Sequence, residues 1–306
     1  MNLFSDFNSV NQEIDLPLLH EKEVRLVIKR EDLIDDFVSG NKFRKLKYNL
    51  LQARDQECET ILTFGGGYSN HIAAVAKAGK LSGFNTIGII RGEELVDKVK
   101  ENPTLSFAVS CGMQLVFVSR EKYRRKTQSD FLANLNKRYQ NAYIIPEGGT
   151  NSFAIKGCER ILKDSDFDFT HIATPVGTGG TIAGIVNCSK LGQQVLGFPA
   201  LKGDFLKVDI SNFTKKRNWS LVSDYHFGGY AKVDETLINF INTFKKDTKV
   251  PLDPVYTGKM IFGLIHMIRN DHFKSGASIL AVHTGGLQGI TGMNKQLRKK
   301  GMVEIK

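Results

Sequence analysis

The sequence predicts an α/β fold built on parallel sheets, and three observations carry that prediction. Short apolar runs rich in β-branched residues alternate with stretches of helical periodicity. Four of these runs are followed at once by a glycine-rich turn and, in three cases, by a helix-like segment. No fixed-period repeat or low-complexity tract competes with this grammar. Strands that alternate with helices imply right-handed βαβ units and hence a parallel sheet. In such sheets ligands sit beyond the carboxyl ends of the strands, where all four turns fall.

Taken in order, VRLVIKRED (24–32) reads as a strand and DLIDDFVSGN (32–41) as a loop. KFRKLKYNLLQARDQ (42–56) has apolar residues at Phe43, Leu46, Leu50 and Leu51, a helical spacing with Ser39 or Asn41 as the expected cap. ETILTF (59–64) is a strand, GGGYSN (65–70) a turn and HIAAVAKAGKLSG (71–83) a helix. NTIGIIR (85–91) and MQLVFVS (113–119) are buried strands. AYIIP (142–146), EGGTNS and FAIKGCERILKD repeat the strand, turn and helix pattern. FTHIAT (169–174), PVGTGG and TIAGIVNCSKLG do so again, and ASILAVH (277–283) ends in TGGLQG.

The 306 residues suffice for two domains, and 41% hydrophobic residues suffice for a sizeable core. The net charge of +10 raises nucleic acid as a partner. The basic residues are spread along the chain, however, and no aromatic-basic motif accompanies them, so no nucleic-acid partner is expected. Lys215, Lys216 and Arg217 read as an exposed turn. Cys58, Cys111, Cys158 and Cys188 form no CxxC pair, which argues against a zinc site or disulfide framework and fits a reducing cytosol. No metal site is expected. The first ten residues lack a basic and apolar leader pattern, and no apolar run approaches the roughly 20 residues of a membrane span. A soluble cytoplasmic protein is therefore expected.

The segment TPVGTGGTIAGI (174–185) carries the strongest chemical signal. Gly177, Gly179 and Gly180 allow a tight turn, and a helix begins near Thr181. Its free backbone N–H groups, with the hydroxyls of Thr178 and Thr181, would form a cup for an anion. Neither a P-loop nor a dinucleotide fingerprint is present, so a phosphate monoester fits best. A second anion site is expected at Ser69 and Asn70, where the next helix starts; Ser69 could equally be a plain cap. His71 is assigned no catalytic duty. Lys42 stands at the first turn of a helix, where the dipole disfavours a cation. A cofactor that uses all three features is pyridoxal 5′-phosphate. Its phosphate takes the cup, its aldehyde condenses with the lysine, and an amino-acid carboxylate takes the second anion site. Desolvation and the positive helix end would both lower the lysine pKa and make it nucleophilic.

These residues resemble a known family. SGNKFRKL, GGGYSNHIAAVA, PEGGTNSFAIKG, PVGTGGTIAG, LDPVYTGKM and AVHTGGLQG are similar, in order, to motifs of the 1-aminocyclopropane-1-carboxylate deaminase and D-cysteine desulfhydrase family. The resemblance implies fold type II of the pyridoxal-phosphate enzymes, related to the tryptophan synthase β subunit. That fold has two three-layer αβα domains with open, mostly parallel twisted sheets. Residues 1–44 and 151–306 would form the large domain, and residues 45–150 the small one. It also implies roles. Lys42 would hold the cofactor, while Lys45 with Gly177, Thr178, Gly179, Gly180 and Thr181 would hold its phosphate. Asn70 would bond the phenolic oxygen, and Ser69 would bind the substrate carboxylate or help move a proton. Tyr256 would stack near the ring, Tyr230 would reach the substrate, and Thr284 would face the pyridine nitrogen.

Thr257 and Thr284 stand where the deaminases carry Glu and Leu, which resembles the desulfhydrase branch. The implied activity is β-elimination from a small amino acid, D-cysteine foremost, giving pyruvate, ammonia and sulfide. Deamination of the cyclopropane acid and a catalytically silent cofactor-binding protein are the alternatives. Tyr68 replaces the family's glutamine, and the segment around Tyr230 lacks the usual Gly-x-Pro-Asn run. A homodimer is implied by the family alone.

Overall fold

The computed structural model describes residue 3, residues 7–203 and residues 205–306. Its strands are β1 (Asn11–Glu13), β2 (Arg25–Lys29), β3 (Thr60–Gly66), β4 (Asn85–Arg91), β5 (Gln114–Val118), β6 (Ala142–Ile145), β7 (His171–Val176), β8 (Gln194–Pro199), β9 (Trp219–Leu221) and β10 (Ser278–Val282). They form two sheets, one of six strands in the order β1-β2-β10-β7-β8-β9 and one of four in the order β5-β4-β3-β6. Every pairing is parallel except β1 with β2.

The helices are α1 (Pro17–Glu21), α2 (Asn41–Asp55), α3 (Asn70–Ser82), α4 (Pro103–Ser110), α5 (Arg120–Arg124), α6 (Ser129–Arg138), α7 (Ser152–Cys158), α8 (Gly180–Cys188), α9 (Phe205–Ser211), α10 (Glu235–Thr248), α11 (Thr257–Arg269) and α12 (Gly289–Lys299). Period-two burial decides their layering, because successive side chains of a strand face opposite sides of a sheet. Leu26, Ile28, Ile279 and Ala281 point to a core shared with α10, α11 and α12. Val27, Leu280 and Val282 point to the opposite core, shared with α7, α8 and α9. The four-stranded sheet repeats the device. Ile61 and Ile90 pack against α2, α3 and α4, while Leu62, Phe64, Ile87 and Ile89 pack against α5 and α6. Both halves are thus three-layer αβα sandwiches with open, mostly parallel sheets, as the family resemblance implies.

The sequence reading omitted β1, β8 and β9. β8 (QVLGFP) contains a glycine and a proline, which read as turn formers. It is a central parallel strand nonetheless, with Leu196 and Phe198 buried between β7 and β9. The expected division after residue 44 falls inside α2, which runs unbroken across it. Phe43, Leu46, Leu50 and Ala53 turn its apolar face to the core of the four-stranded sheet. Among the described residues no helix is long and apolar enough to cross a membrane, and no group of three or more His, Cys, Asp or Glu could hold a metal ion.

Candidate active site

The turns that leave the carboxyl ends of β3, β7 and β10 converge on one cavity of about 560 Å³, a volume ordinary for a cofactor site. Lys42, Lys45, Ser69, Asn70, Gly177, Thr178, Gly179, Thr181, Tyr230, Tyr256 and Thr284 all line it. Gly180 is buried beside them.

Lys42 enters through the start of α2. Neither expected cap acts there. The N-cap is Gly40, without a side-chain bond, at φ +55. A Cβ at that position would lie 2.1 Å from the Thr284 carbonyl oxygen, so only glycine lets the helix dock this closely on the turn after β10. Ser39 is used elsewhere: its Oγ accepts from the Gly286 N–H at 3.4 Å. Asn41 is the first helical residue. Its amide donates to Thr181 Oγ1 at 2.9 Å and accepts from Lys42 Nζ at 3.1 Å, linking the amine to the start of α8. Burial, then the nearby Lys45 ammonium, push the Lys42 pKa down to about 7. Roughly half of such amines are unprotonated at neutral pH, the form a nucleophile needs.

Lys45 lies one turn along the same helix. Its Nζ donates to the Gly148 carbonyl and to Thr150 Oγ1, each at 3.0 Å, and burial lowers its pKa as well. Thr150 Oγ1 lies 2.6 Å from Thr178 Oγ1. The N-cap of α8 is Gly179, which offers no side-chain acceptor, so the first-turn N–H groups stay free for a ligand. A Cβ on Gly180 would sit 2.8 Å from Thr150 Oγ1 and 3.3 Å from Lys45 Nζ. The cup is therefore a backbone cradle with an ammonium at its side, the donor set a phosphate monoester requires.

Ser69 caps α3, accepting from the Ile72 N–H at 3.3 Å, and Asn70 follows as the first helical residue. His71 is 3% exposed, and its Nε2 lies 2.8 Å from Thr63 Oγ1. The Thr63 hydroxyl donates to the Ile145 carbonyl, so the ring must donate to Thr63 and leave Nδ1 as an acceptor. That Nδ1 is buried without a partner among the described residues. Burial, then Lys42 and Lys45, hold the ring neutral, with its pKa well below the usual value. An orphaned acceptor in the lining wants a ligand donor.

Tyr256 is set by Asp253, whose carboxylate accepts the N–H groups of Val255, Tyr256 and Thr257 and the Thr257 hydroxyl. Tyr230 meets Tyr256 edge to face, with centroids 6.2 Å apart. Burial raises both phenol pKa values, so both hydroxyls stay protonated at neutral pH. Of the two threonines singled out in sequence, Thr284 lines the cavity. Thr257 does not: it is fully buried and its hydroxyl closes the Asp253 turn at 2.7 Å. Sequence reasoning missed Asn41, Thr150, His71 and Asp253. Asp253 had a signal, the Asp-Pro turn in LDPVY.

The family described as pyridoxal-phosphate dependent enzyme matches residues 11–285. An Arabidopsis thaliana protein, the mitochondrial bifunctional D-cysteine desulfhydrase/1-aminocyclopropane-1-carboxylate deaminase, is 33% identical over 87% of this chain and 73% of its own length. D-cysteine desulfhydrase of Serratia proteamaculans is 25% identical over 89% of each chain. A crystal structure of an ACC deaminase homologue superposes with a TM-score of 0.80 at 25% identity, covering 97% of this chain and 95% of that one. A near-neutral lysine beside a phosphate cradle in one cavity fits pyridoxal phosphate on chemical grounds, and the chain belongs to the pyridoxal-phosphate-dependent enzymes of the 1-aminocyclopropane-1-carboxylate deaminase and D-cysteine desulfhydrase family.

Proposed function

We propose that the protein eliminates the β substituent of a small amino acid, with D-cysteine as substrate and pyruvate, ammonia and sulfide as products. The observation that carries this reading is the Lys42 amine, held near neutrality in the same cavity as the glycine cradle. Lys42 would hold the cofactor. Lys45 and the 177–181 backbone would hold its phosphate, Asn70 its phenolic oxygen and Thr284 its pyridine nitrogen. When bound, the cofactor supplies covalent attachment at Lys42 and an electron sink for the substrate Cα.

The protein's own groups divide the remaining work. Ser69 and the first turn of α3 bind the substrate carboxylate. The freed Lys42 amine takes the Cα proton, since its lowered pKa keeps it basic without locking it as an ammonium. Tyr230 and Tyr256 keep their protons, which suits them to protonate a leaving sulfur rather than to abstract from carbon. Thr284 supplies no carboxylate to the cavity, which supports a weak electron sink suited to a good leaving group. The division into residues 1–44 with 151–306 and residues 45–150, a cytoplasmic location and a homodimer belong to the same proposal. Four free cysteines support the location, and family membership supports the rest.

The test is a keto-acid release screen over D- and L-amino acids and 1-aminocyclopropane-1-carboxylate. D-cysteine turnover should exceed that of the cyclopropane acid. The reverse order would make the protein a deaminase, a reading that the double name of the Arabidopsis relative keeps open. Release from no amino acid would leave a silent cofactor-binding protein.

A further inference from the structure

We propose that Lys259 is a positioning residue whose ammonium clamps the 226–232 segment and so holds Tyr230 against Tyr256. The inference rests on the role given to Tyr230 above, and four observations carry it.

Lys259 is 2% exposed, and its Nζ donates to the carbonyls of His226 and Gly229, each at 2.8 Å. It makes no ion pair among the described residues. A buried ammonium is costly unless its hydrogen bonds are well used, and here they are spent on two carbonyls of one loop. The two carboxylates whose charge acts on it are engaged elsewhere. Asp253 binds the turn of Tyr256, and Asp234 caps α10 by accepting from the Leu237 N–H.

The clamped segment is itself a backbone that relaxes when unsupported. Phe227 (φ 52), Gly228 (φ 85), Gly229 (φ 115) and Ala231 (φ 55) are all left-handed, and two of them bear side chains that disfavour it. Local bonds form turns within it but tie it to no other element: His226 Nδ1 accepts from the Gly228 N–H, the His226 carbonyl from the Gly229 N–H at 3.0 Å and the Gly229 carbonyl from the Lys232 N–H at 3.2 Å. Tyr230, which follows the second clamped carbonyl, is 44% exposed, so burial alone does not fix its ring. The Tyr256 ring meets one side of it, and the backbone that presents it is held by Lys259.

The clamp has a pH sign. Burial pushes Lys259 down to about 8, against the opposing pull of Asp253 and Asp234. The other charged or titratable side chains of the clamped segment are His226, Tyr230 and Lys232, and burial raises the Tyr230 pKa so that its phenol keeps its proton. Below about 8 the donor is an ammonium. Above it a neutral amine keeps two N–H groups but loses the charge that strengthens them, so the segment loosens as pH rises.

Two measurements test this. The first needs no variant: chymotryptic cleavage at Phe227 and Tyr230 of the wild-type protein, corrected against a reference peptide, should rise severalfold between pH 7 and pH 9. Lys259→Met should cleave fast already at pH 7, with no pH dependence. The second is a double-mutant cycle on keto-acid release. Lys259→Met and Tyr230→Phe should each lower kcat/KM by about 10- to 100-fold, and the pair together by no more than the worse single, because one acts through the other. Additive losses, or cleavage indifferent to pH and to Lys259→Met, overturn the clamp. A wild-type protein that releases no keto acid sinks the elimination reading instead, and the cleavage arm still decides Lys259.

Discussion

Lys42 shows how position converts an ordinary side chain into a reagent. Its composition-level reading is one more cation in a basic stretch. Burial and Lys45 bring its pKa to about 7, so it is an ammonium below that pH and a free amine above it. Capture of pyridoxal phosphate by the cofactor-free protein, followed by absorption, should therefore rise about tenfold from pH 6 to pH 8, as one group titrating near 7 requires. Lys45→Ala removes the like charge and should move that midpoint upward. Lys42→Ala should abolish borohydride-resistant attachment. Asp253 makes the second residue-scale case. Replacing it with Asn sets an N–H₂ against the Thr257 N–H and hydroxyl. We expect a loss of about 1–3 kcal/mol in urea unfolding, the usual cost of an unsatisfied buried partner, together with slower turnover as Tyr256 loses its turn. The glycine cup and Lys42 were legible in the sequence because their chemistry follows from local spacing, whereas Lys45 was named only through the family resemblance. His71 was not. Its unpaired Nδ1 depends on Thr63 and Ile145, partners set by sheet pairing rather than by spacing.

At the scale of elements, α2 is the part on which the site turns. Arg44 Nε and one terminal nitrogen donate to the buried Glu31 carboxylate at 2.9 and 2.7 Å, tying the helix to the turn that follows β2. Gly40 then sets its first turn against Thr284. Gly40→Ala combines left-handed strain, of about 1–3 kcal/mol, with a steric overlap that only backbone movement relieves. Its expected outcome is a lowered urea midpoint and loss of cofactor uptake, with Gly40→Ser behaving alike. Helix and strand periodicity located α2 and seven of the strands. The cap was misread because Ser and Asn usually cap, whereas tertiary contacts took both side chains for other partners. β8 was missed for a related reason: its Gly and Pro are turn formers in isolation and are tolerated in a strand held on both sides.

For the whole molecule, two sandwiches share one cavity, and ligation there should report on both. Saturating pyridoxal phosphate at about 100 times its dissociation constant adds about 2.7 kcal/mol, so thermal unfolding should shift upward by several degrees; Lys42→Ala should shift less. The cysteines give an independent check of burial. Burial raises Cys158 to about 11 and the half-buried Cys188 to about 12, and Cys58 and Cys111 are half-buried as well. A thiol reagent at pH 8 should modify two groups quickly and two slowly. The α/β class and the parallel sheets could be read from alternation alone. The shape of the cavity could not, because it is made by strand ends that meet only after folding.

The spacing of Lys42 and Lys45, three residues apart on one helix, has a practical consequence. Any small dianion resting in the glycine cradle would neutralise the second lysine and make the first hold its proton more firmly. Phosphate or sulfate buffers should thus slow reconstitution twice over, once by competing for the seat and once by blunting the attacking nitrogen. Assays in zwitterionic amine buffers would report a faster protein than assays in phosphate.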